Sequence, residues 1–371
     1  MTEVRAAVLT AARTVEIAGF PFPELSDDDG LLQVEAAGVC GADYPVFANG
    51  RSSGALTIEP PVILGHEIVG RVTELGRTAA ERWNLRAGSR IVVERWIPCG
   101  HCRRCYAGDY RLCDVRTKQS TLFYGGAPTT TAPALWGGFA EHLYLHPDTV
   151  VYPVSDEAPA HLVPLFTPLA NALCWVQEIG GLRSGGSIVI QGPGQEGLAA
   201  VVAAREAGAE HIVVLGLAAD ARRLELAARL GATCTVDVDR DDPVAAVREA
   251  TGGELADVVL DVSSGANGGQ LETAVRVVRE QGTVVLAAAH RQGAIGSVVA
   301  EQIVDKVLTV RGMRGRHRWA IPVALRLIDS GRYPLDLLCS DPVGLDGVAG
   351  ALARAGGESG GRDTLHVVVQ P

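Results

Sequence analysis

The rhythm of hydrophobic and polar positions changes once along this chain, near residue 160. Before that point, short β-branched runs such as LLQVEAAGV, IVGRVTEL and SRIVVERW are cut by Gly, Pro and Asp, the texture of a compact, largely β domain. After it, Ala-rich stretches with helical spacing alternate with the apolar runs SIVIQ, HIVVLG, DVVLDV, GTVVLAAA and LTVRG. Continuous apolar strands between helices predict a parallel sheet covered on both faces. The fold class is therefore α/β, a β-rich domain beside a doubly wound one. Residues 121–138, TLFYGGAPTTTAPALWGG, read as a loop.

Composition narrows the function. A chain of 371 residues with 47% hydrophobic content has enough apolar surface for two domains. Its net charge of -10, with no uninterrupted Lys/Arg run, offers no basic field to nucleic acid or to an anionic membrane. The most apolar stretch, residues 162–182, is broken by Pro164, Pro168, Asn171, Gln177 and Glu178, whereas a spanning helix needs about 20 mostly apolar residues. The N-terminus lacks the pattern of a signal peptide, so a cytoplasmic protein acting on a small molecule is expected.

One motif carries a cofactor. In SIVIQGPGQEGLAAVVAAREAGAEHIVVLG, the loop Gly192, Pro193, Gly194, Gln195, Glu196 and Gly197 follows an apolar strand and opens a helix, and a second strand ends near Gly216. The three glycines allow a tight turn, close approach of a pyrophosphate and close helix–strand packing. The helix N-terminus supplies free N–H groups and positive potential for the phosphates. An acidic residue at the end of the second strand would hold the ribose 2′-hydroxyl of NAD, but Gly216 stands there. Arg222 and Arg223 follow within reach of a 2′-phosphate, or serve as a solvated helix face, so NAD and NADP both remain open.

Two groups of residues suggest metal. CGHCRRCYAGDYRLC offers Cys99, Cys102, Cys105 and Cys113, four thiolates able to close a tetrahedron around a structural Zn²⁺; an iron–sulfur cluster is the lesser alternative. Four of eight cysteines crowded into one stretch of a chain without an export signal favour metal over disulfides. Cys40, with His66 and Glu67 in ILGHEIVG, is a dispersed thiolate, imidazole and carboxylate. Taken alone, these residues are indistinguishable from ordinary core and loop positions.

Together, GVCGAD, GHE, the four-cysteine lobe, WGGFAEHLYL and GPGQEG resemble, in order and over nearly the whole chain, the zinc-containing medium-chain dehydrogenase/reductase superfamily of alcohol and polyol dehydrogenases. The resemblance implies a GroES-like catalytic domain over 1–160 with a zinc lobe at 95–115, a Rossmann domain over 161–314, and a return to the catalytic domain over 315–371. It implies Cys40, His66 and Glu67 as catalytic-zinc ligands, Asp43 as partner of the ligand histidine, Arg95 and Trp96 near the substrate pocket, and a homodimer or homotetramer. It places His366 where some relatives carry a basic residue that reaches the cofactor pyrophosphate.

Three departures qualify that picture. Thr167, in LFTPLANAL, stands where relatives carry a further Cys, Asp or Glu ligand, and Cys174, two helical turns on, reads as packing. Ala42 and Pro45 replace the hydroxyl and imidazole of the usual proton relay, which leaves Tyr44, Glu67 or a water chain to move the proton. The expected activity is NAD(P)-dependent hydride transfer between nicotinamide and an alcohol or carbonyl. The alternatives are reduction of an activated C=C or iminium, and a cofactor-binding sensor with a vestigial zinc site.

Overall fold

The computed structural model describes residues 3–52, 57–117, 120, 122–263, 269–287, 300–358 and 364–371. The chain divides into two compact units, Met1–Phe166 with Leu325–Gly331 and Leu338–Pro371, and Thr167–Ala324 with Arg332–Leu337. No described helix is long and apolar enough to cross a membrane.

The first unit is antiparallel. Its strands are β1 (Glu3–Ala11), β2 (Thr14–Pro21), β3 (Gly30–Val39), β4 (Val62–Ile63), β5 (Glu67–Leu75), β6 (Arg90–Val93), β7 (His142–Leu145) and β8 (Val151–Pro153). One sheet runs β2-β1-β4; the other contains the path β3-β5-β6-β8, with β7 also on β3. Leu32, Ile68, Ile91 and Leu143 meet in one apolar core, each contributing roughly 1.5–3 kcal/mol by leaving water. Two register shifts interrupt the β3–β5 ladder, after which Ala36 faces Val69, Ala37 faces Ile68 and Gly38 faces Glu67. That register brings the end of β3 against the start of β5, where the candidate zinc ligands stand.

Residues 122–138, nearly all of the expected loop, are irregular but not loose. Phe123, Tyr124, Leu135 and Trp136 are buried in the same core, and the Trp136 indole N–H donates to the Thr131 carbonyl at 2.9 Å.

The second unit is a parallel sheet of β9 (Ser187–Gln191), β10 (His211–Gly216), β11 (Cys234–Asp237), β12 (Ala256–Asp261), β13 (Val278–Leu286) and β14 (Thr309–Gly312), ordered β11-β10-β9-β12-β13-β14. Counted from its own first strand this is the order 3-2-1-4-5-6, whose direction reverses between β9 and β12. A final strand, β15 (Val367–Val369), returns to the first unit and pairs antiparallel with β3, Val368 opposite Gly38.

Candidate metal centres and cofactor loop

Strand register assembles the first centre. Cys40 follows β3 directly, His66 precedes β5, and Glu67 is its first residue. One ligand atom from each of Cys40, His66 and Glu67 lies within 4.8 Å of the other two. Thiolate, imidazole and carboxylate form a zinc donor set.

Asp43 joins two of these residues. Its Oδ2 accepts the Cys40 N–H at 3.1 Å, and its Oδ1 lies 3.2 Å from His66 Nδ1. Asp43 begins the short helix Asp43–Asn49, where Pro45 fits because the first turn needs no N–H from it. With Nδ1 turned to Asp43, Nε2 is the ring atom that could ligate a metal.

Glu67 is wholly buried and owes its place to a glycine. A Cβ on Gly38 would fall 2.2 Å from Glu67 Oε2 and 2.7 Å from His366 Cε1, so only glycine lets both side chains cross that backbone. His366 Nδ1 stands 3.7 Å from Glu67 Oε2. Burial pushes the His366 imidazole down to about 4. The ring is wholly buried, and at neutral pH it carries no charge.

Arg95 follows β6, and the pairing of Ile68 with Val93 carries it alongside His66. Its Nη1 lies 3.3 Å from His66 Nε2, and its guanidinium stacks 5.0 Å from the Trp96 ring and 5.1 Å from that of Phe123. Tyr44 points elsewhere: its hydroxyl donates to Glu358, a carboxylate that Arg13 also grips at 2.8 and 3.0 Å. Arg13 first, then Tyr44, holds the Glu358 carboxyl down at about 2. Thr167 opens the second unit, buried, with Oγ1 lacking a hydrogen-bond partner among the described residues.

The second centre is the cysteine lobe. Cys99 and Cys105 sulfurs are 3.9 Å apart, those of Cys102 and Cys113 3.8 Å, and all four lie within 4.8 Å of one another. These separations are far beyond an S–S bond of about 2 Å and suit four thiolates around one ion. Backbone N–H groups of Asp114 and Cys105 pull the Cys102 thiol down to about 6, while burial pushes Cys105 up to about 12. Four crowded thiols cannot all ionise without a cation, which Zn²⁺ would supply.

The cofactor loop lies where the strand order reverses. Gly192 has φ 98°, and a Cβ there would meet Ser263 Cα, beyond β12, at 2.8 Å. A Cβ on Gly197 would fall 1.9 Å from the Gly192 carbonyl oxygen, while one on Gly194 would meet nothing within 4 Å. Gly194 caps the helix Gln195–Glu206 without a side-chain bond, leaving its N–H groups for an anion. These features fit a dinucleotide pyrophosphate. Gly216 ends β10 against Pro193 and Leu224, Arg222 is exposed, and Arg223 Nη1 lies 3.9 Å from Asp220 Oδ1.

Glu196 presents what its position in the motif did not reveal. Its carboxylate is turned inward: Oε1 accepts from Asn171 Nδ2 at 3.0 Å, Asn171 Oδ1 accepts from Arg316 at 3.3 Å, and Oε2 is shielded from solvent with no hydrogen-bond partner among the described residues. Burial pushes the carboxyl up to about 7. The residues behind it, Asn171 and Arg316, carry no local sequence signal.

Comparison with known proteins agrees with this geometry. The chain matches the family models for the alcohol dehydrogenase GroES-like domain over residues 26–156 and for zinc-binding dehydrogenase over residues 197–330. It is 40% identical to a probable alcohol dehydrogenase of Mycobacterium tuberculosis, covering 99% of this chain and 98% of the relative. It is 28% identical to the sorbitol dehydrogenase of Bacillus subtilis, covering 95% and 93%. Among solved structures it resembles an alcohol dehydrogenase from Thermotoga maritima (TM-score 0.87, 26% identity, 100% and 99% covered). A protein from Sinorhizobium meliloti solved with bound NADP is similar over both whole chains (TM-score 0.84, 27% identity, 100% and 100% covered).

Proposed function

The chain belongs to the zinc-type alcohol dehydrogenases of the medium-chain superfamily, and on that footing we propose how its residues divide the work. Cys40, His66 and Glu67 hold the catalytic zinc, which when bound polarises the oxygen of an alcohol or carbonyl substrate. Asp43 fixes the His66 tautomer and the Cys40 turn. The Gly192–Gly197 loop and the helix after it take the pyrophosphate of NAD or NADP, and hydride passes between nicotinamide and the substrate carbon. Arg95, held against the Trp96 and Phe123 rings, pairs with a carboxylate or phosphate on the substrate. Cys99, Cys102, Cys105 and Cys113 clamp their lobe around a structural zinc.

The observation that carries this reading is the Asp43 carboxylate, one oxygen on the Cys40 N–H and the other beside His66 Nδ1. Such a tether serves a metal ligand set and has little use in a packed core. The test is Cys40→Ser, compared with wild type for zinc content, NADH and NADPH binding, and turnover on an alcohol panel. The variant should carry one zinc fewer, bind cofactor equally well and lose turnover. Turnover kept intact would remove Cys40 from the chemistry, and unchanged zinc content would favour a vestigial site and a sensor.

A second reading has its own support. Ala42 and Pro45 cannot relay a proton, and the Tyr44 hydroxyl is bound to Glu358. Reduction of an activated C=C or an iminium needs no alcohol relay, so such substrates belong in the same panel.

The strand β14 supports the expected homodimer or homotetramer. It is the last strand of its sheet among the described residues and exposed throughout, with Val310 within it and Val304 and Val307 just before it among the exposed hydrophobics. Light scattering would give the assembly. Four of the eight cysteines gathered where one metal ion fits suit a reducing cytoplasm.

A further inference from the structure

Cys174 and Glu178 stand four residues apart on the π-helical segment Cys174–Ile179, which continues the helix Phe166–Leu173. Short π segments recur at functional sites, where the widened turn re-aims side chains. The thiol of Cys174 lies 3.8 Å from Glu178 Oε2. His317 arrives from the segment after β14, with Nδ1 2.7 Å from Glu178 Oε1. One ligand atom from each of the three residues is within 4.8 Å of the others.

The surroundings fix this arrangement. The Trp175 indole N–H donates to the Gly315 carbonyl at 2.7 Å, pinning the strand-to-helix segment that carries His317 against the π turn. The Trp319 indole N–H donates to Glu178 Oε2 at 2.6 Å, setting the plane of the carboxylate. Hydrogen bonds of that kind, from outside the ligand set onto a ligating carboxylate, hold metal sites in register.

We propose that Cys174, Glu178 and His317 form a third metal site, selective for a borderline-soft divalent ion such as Zn²⁺ or Co²⁺. Thiolate and imidazole discriminate against Ca²⁺ and Mg²⁺, which take oxygen ligands. Cys174 is buried whereas Glu178 is exposed, so the ion would rest on the thiol with a solvent-facing position left for water. The site lies wholly within the second unit and depends on neither the hydride chemistry nor the Cys40 centre. A plain His317–Glu178 ion pair above a buried thiol would explain the 2.7 Å contact but would bind no metal.

Full-length wild type, Cys174→Ser and His317→Ala, each equilibrated with buffered Zn²⁺ and desalted, are compared for zinc per chain. Both variants should hold one equivalent less than wild type while keeping the same far-UV spectrum and cooperative melting. The cobalt-loaded wild type minus Cys174→Ser should leave a near-ultraviolet thiolate-to-cobalt band. Because the result is a difference between proteins, it stands whether or not the Cys40 centre is filled, and Cys40→Ser reports that centre separately. Zinc content equal to wild type in either folded variant would overturn the proposal; should the buried serine prevent folding, the partly exposed His317→Ala decides it.

Discussion

His66 Nδ1 lies 3.2 Å from Asp43 Oδ1, both side chains almost completely shielded from solvent. The second oxygen of the same carboxylate holds the Cys40 N–H. One acid thus sets the two ligand candidates nearest to it. Asp43→Asn keeps the shape but turns one acceptor into a donor, which opposes either the ring N–H or the Cys40 N–H. Chelator competition should show zinc affinity at this centre lowered about 10- to 100-fold, with the cysteine lobe unaffected.

Gly194 and Gly197 predict different failures. An alanine at Gly197 would press its Cβ against the Gly192 carbonyl, whereas one at Gly194 meets only open space. Gly194→Ala should therefore melt like wild type yet bind NADH and NADPH at least about 10-fold more weakly, a loss of about 1.4 kcal/mol. Gly197→Ala should lose both cofactor binding and thermal stability. Titration by nicotinamide fluorescence, paired with melting curves, separates the two.

The Glu196 carboxyl is raised from 4.5 to about 7 by burial. The folded state therefore holds the proton more tightly than the unfolded chain. Its contribution is fully present below the unfolded value and is lost as pH rises toward the folded one. Glu196→Gln, neutral throughout and able to keep the Asn171 bond, should outlast wild type by a margin that grows between about pH 4.5 and 7 and then levels at no more than about 3 kcal/mol. Denaturant midpoints across that range check it; a margin independent of pH would contradict the assignment.

Tyr44 tests where the proton goes. Its ring lies over Gly356, where a Cβ would fall 2.1 Å from it, and its hydroxyl helps hold Glu358. Tyr44→Phe should cost about 1 kcal/mol of stability and leave turnover within about twofold. A fall in kcat of two orders of magnitude or more would place the hydroxyl in the proton path.

Most of what can be read along the chain is local. The cysteine lobe draws all its candidate ligands from residues 99–113, and the cofactor loop is six residues between a strand and a helix. Spacing within so short a stretch already limits the geometry, so both are legible in the sequence alone. The change of rhythm near residue 160 likewise separates an antiparallel, β-rich unit from a parallel sheet, because strands buried on both faces lose their alternation. Cys40, His66 and Glu67 are different. Only the family resemblance joins them, since nothing in their spacing distinguishes a ligand from a core residue.

What the tertiary structure decided was which distant residues share a site. Gly38 faces Glu67 across β3 and β5 and faces Val368 across β3 and β15, and this places His366 beside a zinc-ligand candidate. A shift of one residue in either ladder would turn those side chains to the opposite face. Asn171 and Arg316 behind Glu196, and His317 beside Cys174, depend in the same way on how helices and loops close around a sheet. The sequence by itself determined the elements, the cofactor loop and the cysteine lobe, because those rest on short-range spacing. Register and packing between segments far apart in the chain determined the rest, because burial and hydrogen bonding across the fold leave no periodic mark in the sequence.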